Sequence, residues 1–458
     1  MTSKDWTPEI NFAGRPRYIE IAEAIRTDIE SGRLSPGDRL PPQRRLAKSL
    51  NTDVSTISRS YAEAVRRGYV EAHVGRGTFV RDLAASGPVA DPRRTLEEDP
   101  RMNMPPEPED PELIARMRAG LEHLCANIVP LLRYQAPIGS SKDREIAKNW
   151  MHANDMDCVV ERLVVTPGAH AAIHAVLSIL SRPGTTVLCE SVTYSGIRAI
   201  AARLDLPLIG LEEDEDGITP DALDAALRAH EHCVLYLNPT LRNPTTHTMP
   251  AQRRTDIARI LEAHGSPLIE DDAYCFVASD APPPISHFLP ELGWHVAGIS
   301  KVFGAGLRLA YVQVPGEAWH GPFVKALRTT NVMASPISLA LLSTWIEDGT
   351  ASELQTFVRT AAAARQEIAK EVLEGVSFTG HPNAFNIWLT LPEKLSRAEA
   401  LARQTGRLIG IMPSDVFIPS GGGQEKLRVC LGGPITLDDL RNELKDLRES
   451  LSQSDWAG

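Results

Sequence analysis

Lys301 follows an apolar run in GISKVFGAGLRLAYV, where a strand end opens into glycines. An amine placed there can add to a carbonyl group, although most lysines are solvated and the position alone decides little. Asp271 and Asp272 end a second apolar run, PLIEDDAY, with Tyr274 just beyond. Paired carboxylates at a strand end can face a cationic nitrogen, and metal binding or helix capping is the lesser alternative. Thr166-Pro167-Gly168-Ala169-His170 links a third apolar run to an alanine-rich helical segment. The unpaired amides of that helix start can cradle an anion, and a plain structural turn explains the segment as well. Amine, acid and anion cradle are together what an aldehyde cofactor with a ring nitrogen and a phosphate requires.

The elements that would position these groups show as an alternation. Short β-rich runs at residues 163–166, 186–188, 234–237, 267–270 and 296–300 are separated by helical segments. That order predicts an α/β fold with a mostly parallel sheet and crossover helices. The segments between residues 113 and 455 together resemble the fold-type I aminotransferases, which bind pyridoxal 5′-phosphate (PLP). The resemblance implies that Lys301 is the catalytic lysine that forms the internal aldimine. It also implies that Asp271 holds the pyridine nitrogen protonated, that Asn243 (in NPTLRNPTT) and Tyr274 meet the ring hydroxyl, and that Tyr194 stacks on the ring. Gly168, Ala169, His170, Ser300 and Arg308 align with the phosphate cradle. Tyr134, in YQAPIGSSKDRE, resembles the tyrosine that reaches a neighbouring subunit's phosphate, which implies a homodimer. Arg428, in LRVCLGG, aligns with the arginine that clamps an α-carboxylate through two parallel hydrogen bonds. Three positions depart from the pattern: Gly298 where serine is frequent, Thr246 where glycine follows Asn-Pro-Thr, and His170 where Gln or Ser is frequent. The first removes one hydrogen bond from the cradle, worth about 1 kcal/mol. PLP binding is expected to survive all three.

The chain of 458 residues, 43% hydrophobic and 23% charged, is long enough for two or three domains and too apolar for a disordered chain. It holds no run of the ~18 apolar residues that a membrane-spanning helix needs, and its start lacks the apolar centre of a signal peptide. The expectation is a cytoplasmic protein with no membrane partner. Six cysteines lie far apart with no C-x-x-C pair, so no metal site is expected. The net charge of −11 is unevenly spread: residues 1–80 carry 13 Lys and Arg against 10 Asp and Glu, the remainder 35 against 49. A basic head on an acidic body calls for separate readings. Between residues 81 and 112, seven prolines and nine acidic residues predict an extended, partly stiff linker. The expected divisions are a head at 1–80, a linker at 81–112, and a body at 113–458 that ends in a small α+β part.

In the head, Tyr18, Ile21, Ala22, Ile25 and Ile29 mark one amphipathic helix. A short helix from Pro42 turns Leu46, Ala47 and Leu50 inward, and Asn51-Thr52-Asp53 caps a third helix over residues 54–67. That third helix is expected to bury Val54, Ile57, Tyr61, Ala64 and Val65 and to present Ser55, Thr56, Ser58 and Arg59 outward. Short polar side chains and an arginine at a helix start suit a major groove. A hairpin around Gly75-Arg76-Gly77 follows, whose tip arginine suits a minor groove. A three-helix bundle with solvated arginines is the plain alternative. The run GRLSPGDRLPPQRRLAKSLNTDVSTISRSYAEAVRRGYVEAHVGRGTFV resembles the DNA-binding domain of GntR-type bacterial regulators. The resemblance implies DNA contacts from Arg39, Arg44, Arg59, Arg76 and Gly77, with Pro42 in place of a usual serine.

A winged helix-turn-helix joined to an aminotransferase-like body resembles the MocR group of GntR regulators. It implies a dimeric, PLP-dependent transcription factor that binds operator DNA and senses an amino-acid or amine effector through an external aldimine that displaces Lys301. The competing expectation is a working aminotransferase with an appended head, since lysine, aspartate and arginine are all present. An enzyme has no need of Arg44, Arg59 and Arg76, which favours regulation. Arg428 favours an effector with a carboxylate or sulfonate.

Overall fold

Ile21, Ala22 and Ile25 recur at helical spacing and are fully buried, which gives α1 (Arg17–Glu30) its inner face. The computed structural model describes residues 6–8, 10, 16–66, 68–73, 77–81, 99–393, 395–403, 408–421 and 424–452. They fall into two units, Met1–Glu98 and Asp99–Gly458. In the first, α1 is followed by α2 (Gln43–Ser49), α3 (Val54–Arg66) and an antiparallel hairpin of β1 (Val70–His73) and β2 (Gly77–Val80). Ile57, Tyr61 and Ala64 form the buried stripe of α3, and the Tyr61 hydroxyl donates to Pro41 O at 2.7 Å. Two core expectations fail here: Val54 and Val65 are 43% and 37% exposed. Val54 lies on the side of Ile57 and Tyr61 but is the first residue of α3, at the end of the stripe, and Val65 is turned away from Ala64 by one residue's rotation.

The second unit is built on a seven-stranded sheet. Its strands are β3 (Leu163–Thr166), β4 (Thr185–Glu190), β5 (Leu208–Leu211), β8 (His232–Leu237), β9 (Leu268–Asp272), β10 (Gly293–Gly298) and β11 (Ala310–Gln313). A separate two-stranded ribbon pairs β6 (Glu213–Asp214) with β7 (Gly217–Ile218). The large sheet runs in the order β3-β11-β10-β9-β8-β4-β5, parallel except for the pairings made by β11. β3, β4, β9 and β10 are buried along their whole length, which is why each shows a short apolar stretch rather than a strict apolar–polar alternation. Parallel register sets Val296 beside Asp271, so the ends of β9 and β10 deliver Asp271 and Lys301 to the same edge.

After β3, helices α4 (Pro111–Cys125), α5 (Ile128–Leu131) and α6 (Ser141–His152) having come before it, the chain enters α7 (Ala169–Leu180). The small C-terminal part is an antiparallel sheet ordered β12 (Phe378–Thr379), β13 (Asn386–Thr390), β15 (Lys426–Cys430), β14 (Ile411–Pro413). The helix Leu437–Ser452 covers it with Leu440, Leu444, Leu447 and Leu451, all buried.

The expected linker does not reach residue 112. Residues 99–110 belong to the second unit, and α4 starts at Pro111, capped by Asp110. Pro106 bridges to Gly433, and Gly433 N donates to Pro105 O at 3.1 Å. The acidic and proline content suggested solvent, but Asn103 is 5% exposed and Pro105 and Pro106 are buried. We call residues 99–106 the strap.

Candidate functional site

The cavity of the second unit lies at the carboxyl ends of β8, β9 and β10, where open α/β sheets bind ligands. Lys301 sits in the first turn of the short helix Ser300–Phe303, directly after β10. Its Nζ donates to Asn103 O at 2.5 Å and lies 5.6 Å from the Tyr274 ring centre. Burial and the nearby Arg428 charge lower the Lys301 amine to about 8. Asp271, 4% exposed, accepts from the Tyr236 hydroxyl at 2.6 Å through Oδ2, while Asn238 Nδ2 donates to its main-chain oxygen. Burial pushes its carboxyl up to about 6, against the Tyr236 hydrogen bond and the Lys301 charge. Its Oδ1 is buried without a hydrogen-bond partner among the described residues. A buried carboxylate oxygen so left calls for a cationic donor.

The other expected cofactor residues gather around this pair. Asn243 Oδ1 accepts from Arg428 at 3.0 Å, and Asn243 N donates to Asn238 Oδ1 at 2.9 Å. The Tyr274 hydroxyl accepts from Asn103 Nδ2 at 2.6 Å, and burial raises its pKa. Tyr194 caps the helix Ser195–Arg203, and a Cβ at Gly196 would overlap its ring, so that glycine gives the ring its place. Gly168 caps α7 with φ +99°, a conformation that favours glycine. Arg308 crosses it so closely that a Cβ would stand 3.1 Å from the guanidinium. Ala169, His170, Ser300 and Arg308 line the same end of the cavity, and partial burial with the Arg308 charge lowers the His170 pKa. A helix start, a serine and an arginine together fit a phosphate.

Arg428, on β15 and 4% exposed, donates to Asn243 and also to Arg101 O of the strap, with its Nε buried and unpartnered among the described residues. Tyr134 does not line this cavity and is 87% exposed. Tyr236, Asn238 and Asn103 were missed. Tyr236 had a signal, because a tyrosine in a buried strand needs a partner for its hydroxyl. Asn103, flanked by Met102 and Met104 amid acidic residues, had a weaker one.

In the head, Arg39, Arg44, Ser58 and Arg59 are exposed. The Arg59 guanidinium lies 4.3 Å from the Tyr18 ring centre, and Arg39 lies 5.9 Å from that of Phe79. A Cβ at Gly77 would meet Arg39 Nε at 2.6 Å, so the wing glycine makes room for that arginine. Asp53 takes hydrogen bonds from the Ser55 hydroxyl, from Thr56 N at 2.8 Å and from the Thr56 hydroxyl at 2.8 Å. The Ser55 and Thr56 protons are therefore spent on capping α3, and their oxygens remain as acceptors. Arg76 lies outside the described residues.

Fold and cavity define a chain of the PLP-binding aminotransferase type with a helix-turn-helix head. Residues 107–444 match the aminotransferase class I and II family, and the chain belongs to it. Residues 17–80 match the bacterial regulatory proteins of the gntR family. The chain is 29% identical to the HTH-type transcriptional regulator YdeF of Bacillus subtilis, over 97% of this chain and 96% of that one. It is 26% identical to the HTH-type transcriptional regulator TauR of Rhodobacter capsulatus, over 87% and 88%. In fold it matches an archaeal alanine:glyoxylate aminotransferase with a TM-score of 0.69, at 20% identity over 76% of this chain and 89% of the other.

Proposed function

We propose that this protein is a PLP-dependent, DNA-binding transcriptional regulator of the MocR type that senses an amino compound at Lys301. The observation that carries the reading is that one chain holds both a helix-turn-helix head with an arginine-bearing outer face and a cavity built for an aldehyde cofactor. The residues fit PLP: Asp271 Oδ1 awaits a cationic donor, and the start of α7 with Ser300 and Arg308 offers an anion site. When bound, PLP supplies an aldehyde carbon on which one amine can replace another.

The chain's own groups would then do the following. Lys301, lowered to about 8, presents a partly unprotonated amine near neutral pH. Asp271 keeps the ring nitrogen charged, Tyr194 covers the ring, and Asn243 and Tyr274 orient it. Arg428 binds the effector's carboxylate or sulfonate, and Tyr134 joins the site of the second subunit of a homodimer. An effector that favours one arrangement of the body alters which DNA half-sites the two heads span, by no more than its differential affinity for the arrangements.

The test is fluorescence anisotropy on DNA from upstream of the protein's own gene, with a panel of amino acids and amines. Binding at submicromolar protein that one amino compound shifts supports the proposal. No binding to any such DNA contradicts it. The lowered Lys301 amine also favours a second reading, a working aminotransferase, which steady keto-acid release from the same panel would establish.

A further inference from the structure

The strap enters the cavity and engages the groups assigned to the effector. Arg428 donates to Arg101 O, Lys301 Nζ donates to Asn103 O at 2.5 Å, and Asn103 Nδ2 donates to the Tyr274 hydroxyl at 2.6 Å and to Asn386 Oδ1 at 2.9 Å. Two main-chain carbonyls of one short segment thus occupy the guanidinium that would otherwise meet an amino acid's carboxylate and the amine that the amino acid's own amine would replace. The body is shaped to receive this segment. A Cβ on Gly410 would overlap Pro100 O, and one on Gly432 would overlap Met104 O; the three nearest atoms at either position belong to the strap. Neither glycine has a positive φ, so the strap's close approach, rather than backbone conformation, is what excludes a side chain there. In sequence the strap begins at Asp99, and the last described residue of the head is Arg81.

We propose that residues 99–106 are a built-in occupant of the effector site, and that an effector carrying both an amine and a carboxylate must displace them to reach Lys301 and Arg428. This rests on the regulator reading above and adds its transmission step. Loss of the Arg101 and Asn103 carbonyl contacts frees the stretch of body nearest in sequence to the head. Each charge-assisted hydrogen bond surrendered is worth on the order of tenfold in an equilibrium, so the occupant also sets a threshold that weak amines do not pass. A ligand with no carboxylate leaves the Arg428 contact with Arg101 in place.

The full chain, loaded with either pyridoxamine 5′-phosphate or phosphopyridoxyl-L-alanine, would be treated briefly with trypsin. The fragment beginning at Met102 would be followed by mass spectrometry. The second probe differs by carrying a carboxylate. It is expected to raise cleavage after Arg101 by roughly tenfold or more over the first. Gly432→Ala should bring the first probe's rate up to the same level, with thermal unfolding checked in parallel. Equal cleavage of the unaltered chain with both probes overturns the strap proposal, whether or not Gly432→Ala folds. Affinities of both probes for Arg428→Ala separate the two readings. If that change costs the alanine probe no affinity, the effector reading itself fails. A normal loss there with unmoved cleavage overturns the strap alone.

Discussion

Asp271 Oδ1 is the atom on which the cofactor assignment leans most, because it is buried and unpartnered among the described residues while its carboxyl is pushed up to about 6 by burial. In cofactor-free protein this group favours the folded state only when protonated. Its contribution is fully present below the ordinary carboxyl value of 3.8 and is lost as pH rises through about 6. Thermal unfolding of cofactor-free wild type and Asp271→Asn between pH 4 and 7 should therefore diverge, with wild type losing up to ~3 kcal/mol relative to the variant. A difference that stays constant with pH contradicts the assignment. A ring nitrogen that brings a proton supplies the missing partner, so Asp271→Asn should weaken PLP binding by roughly 100-fold in an absorbance titration.

Two elements hold the pocket in shape, and each offers a test at its own scale. Gly196→Ala places a methyl against the Tyr194 ring within the helix Ser195–Arg203. The ring must move, so PLP affinity should fall about tenfold while the unfolding midpoint changes little. Arg254, fully buried, donates to Met249 O at 2.9 Å, Pro239 O at 3.1 Å and the Thr240 hydroxyl at 3.0 Å, and sits 3.8 Å from Glu270. It clasps both ends of the loop that carries Asn243. Arg254→Met leaves those carbonyls and the Glu270 charge without it and should cost about 3–5 kcal/mol in urea unfolding. The strands beneath were legible as short apolar runs, and residues 163–166 were placed to the residue. Lys301 and Asp271 stood out as polar groups at the ends of apolar runs, but their roles, and the choice of Arg428 on the antiparallel β15, came from the resemblance to the fold-type I aminotransferases. The strap was not legible, since its composition is that of a solvated linker. Its partners Gly410, Arg428 and Gly432 lie more than three hundred residues away in sequence. Nor was the use of Asp53 by the Ser55 and Thr56 hydroxyls visible, because spacing alone does not tell a cap from a base contact.

The whole molecule joins a GntR-type helix-turn-helix to an aminotransferase-type body, and under the proposed function an amine arriving at Lys301 is felt at the DNA. Nothing in the described head depends on Lys301, so Lys301→Ala should leave DNA affinity within about twofold of wild type. The same change should remove the amine that holds the cofactor. The most direct measurement is DNA-binding anisotropy of wild type and Lys301→Ala, both supplied with PLP, across a panel of amino compounds. Wild type should shift its DNA affinity by roughly 5-fold or more with one compound, as coupled sites usually do, and Lys301→Ala should not respond. An equal response in Lys301→Ala, or loss of its DNA binding altogether, would contradict the coupling.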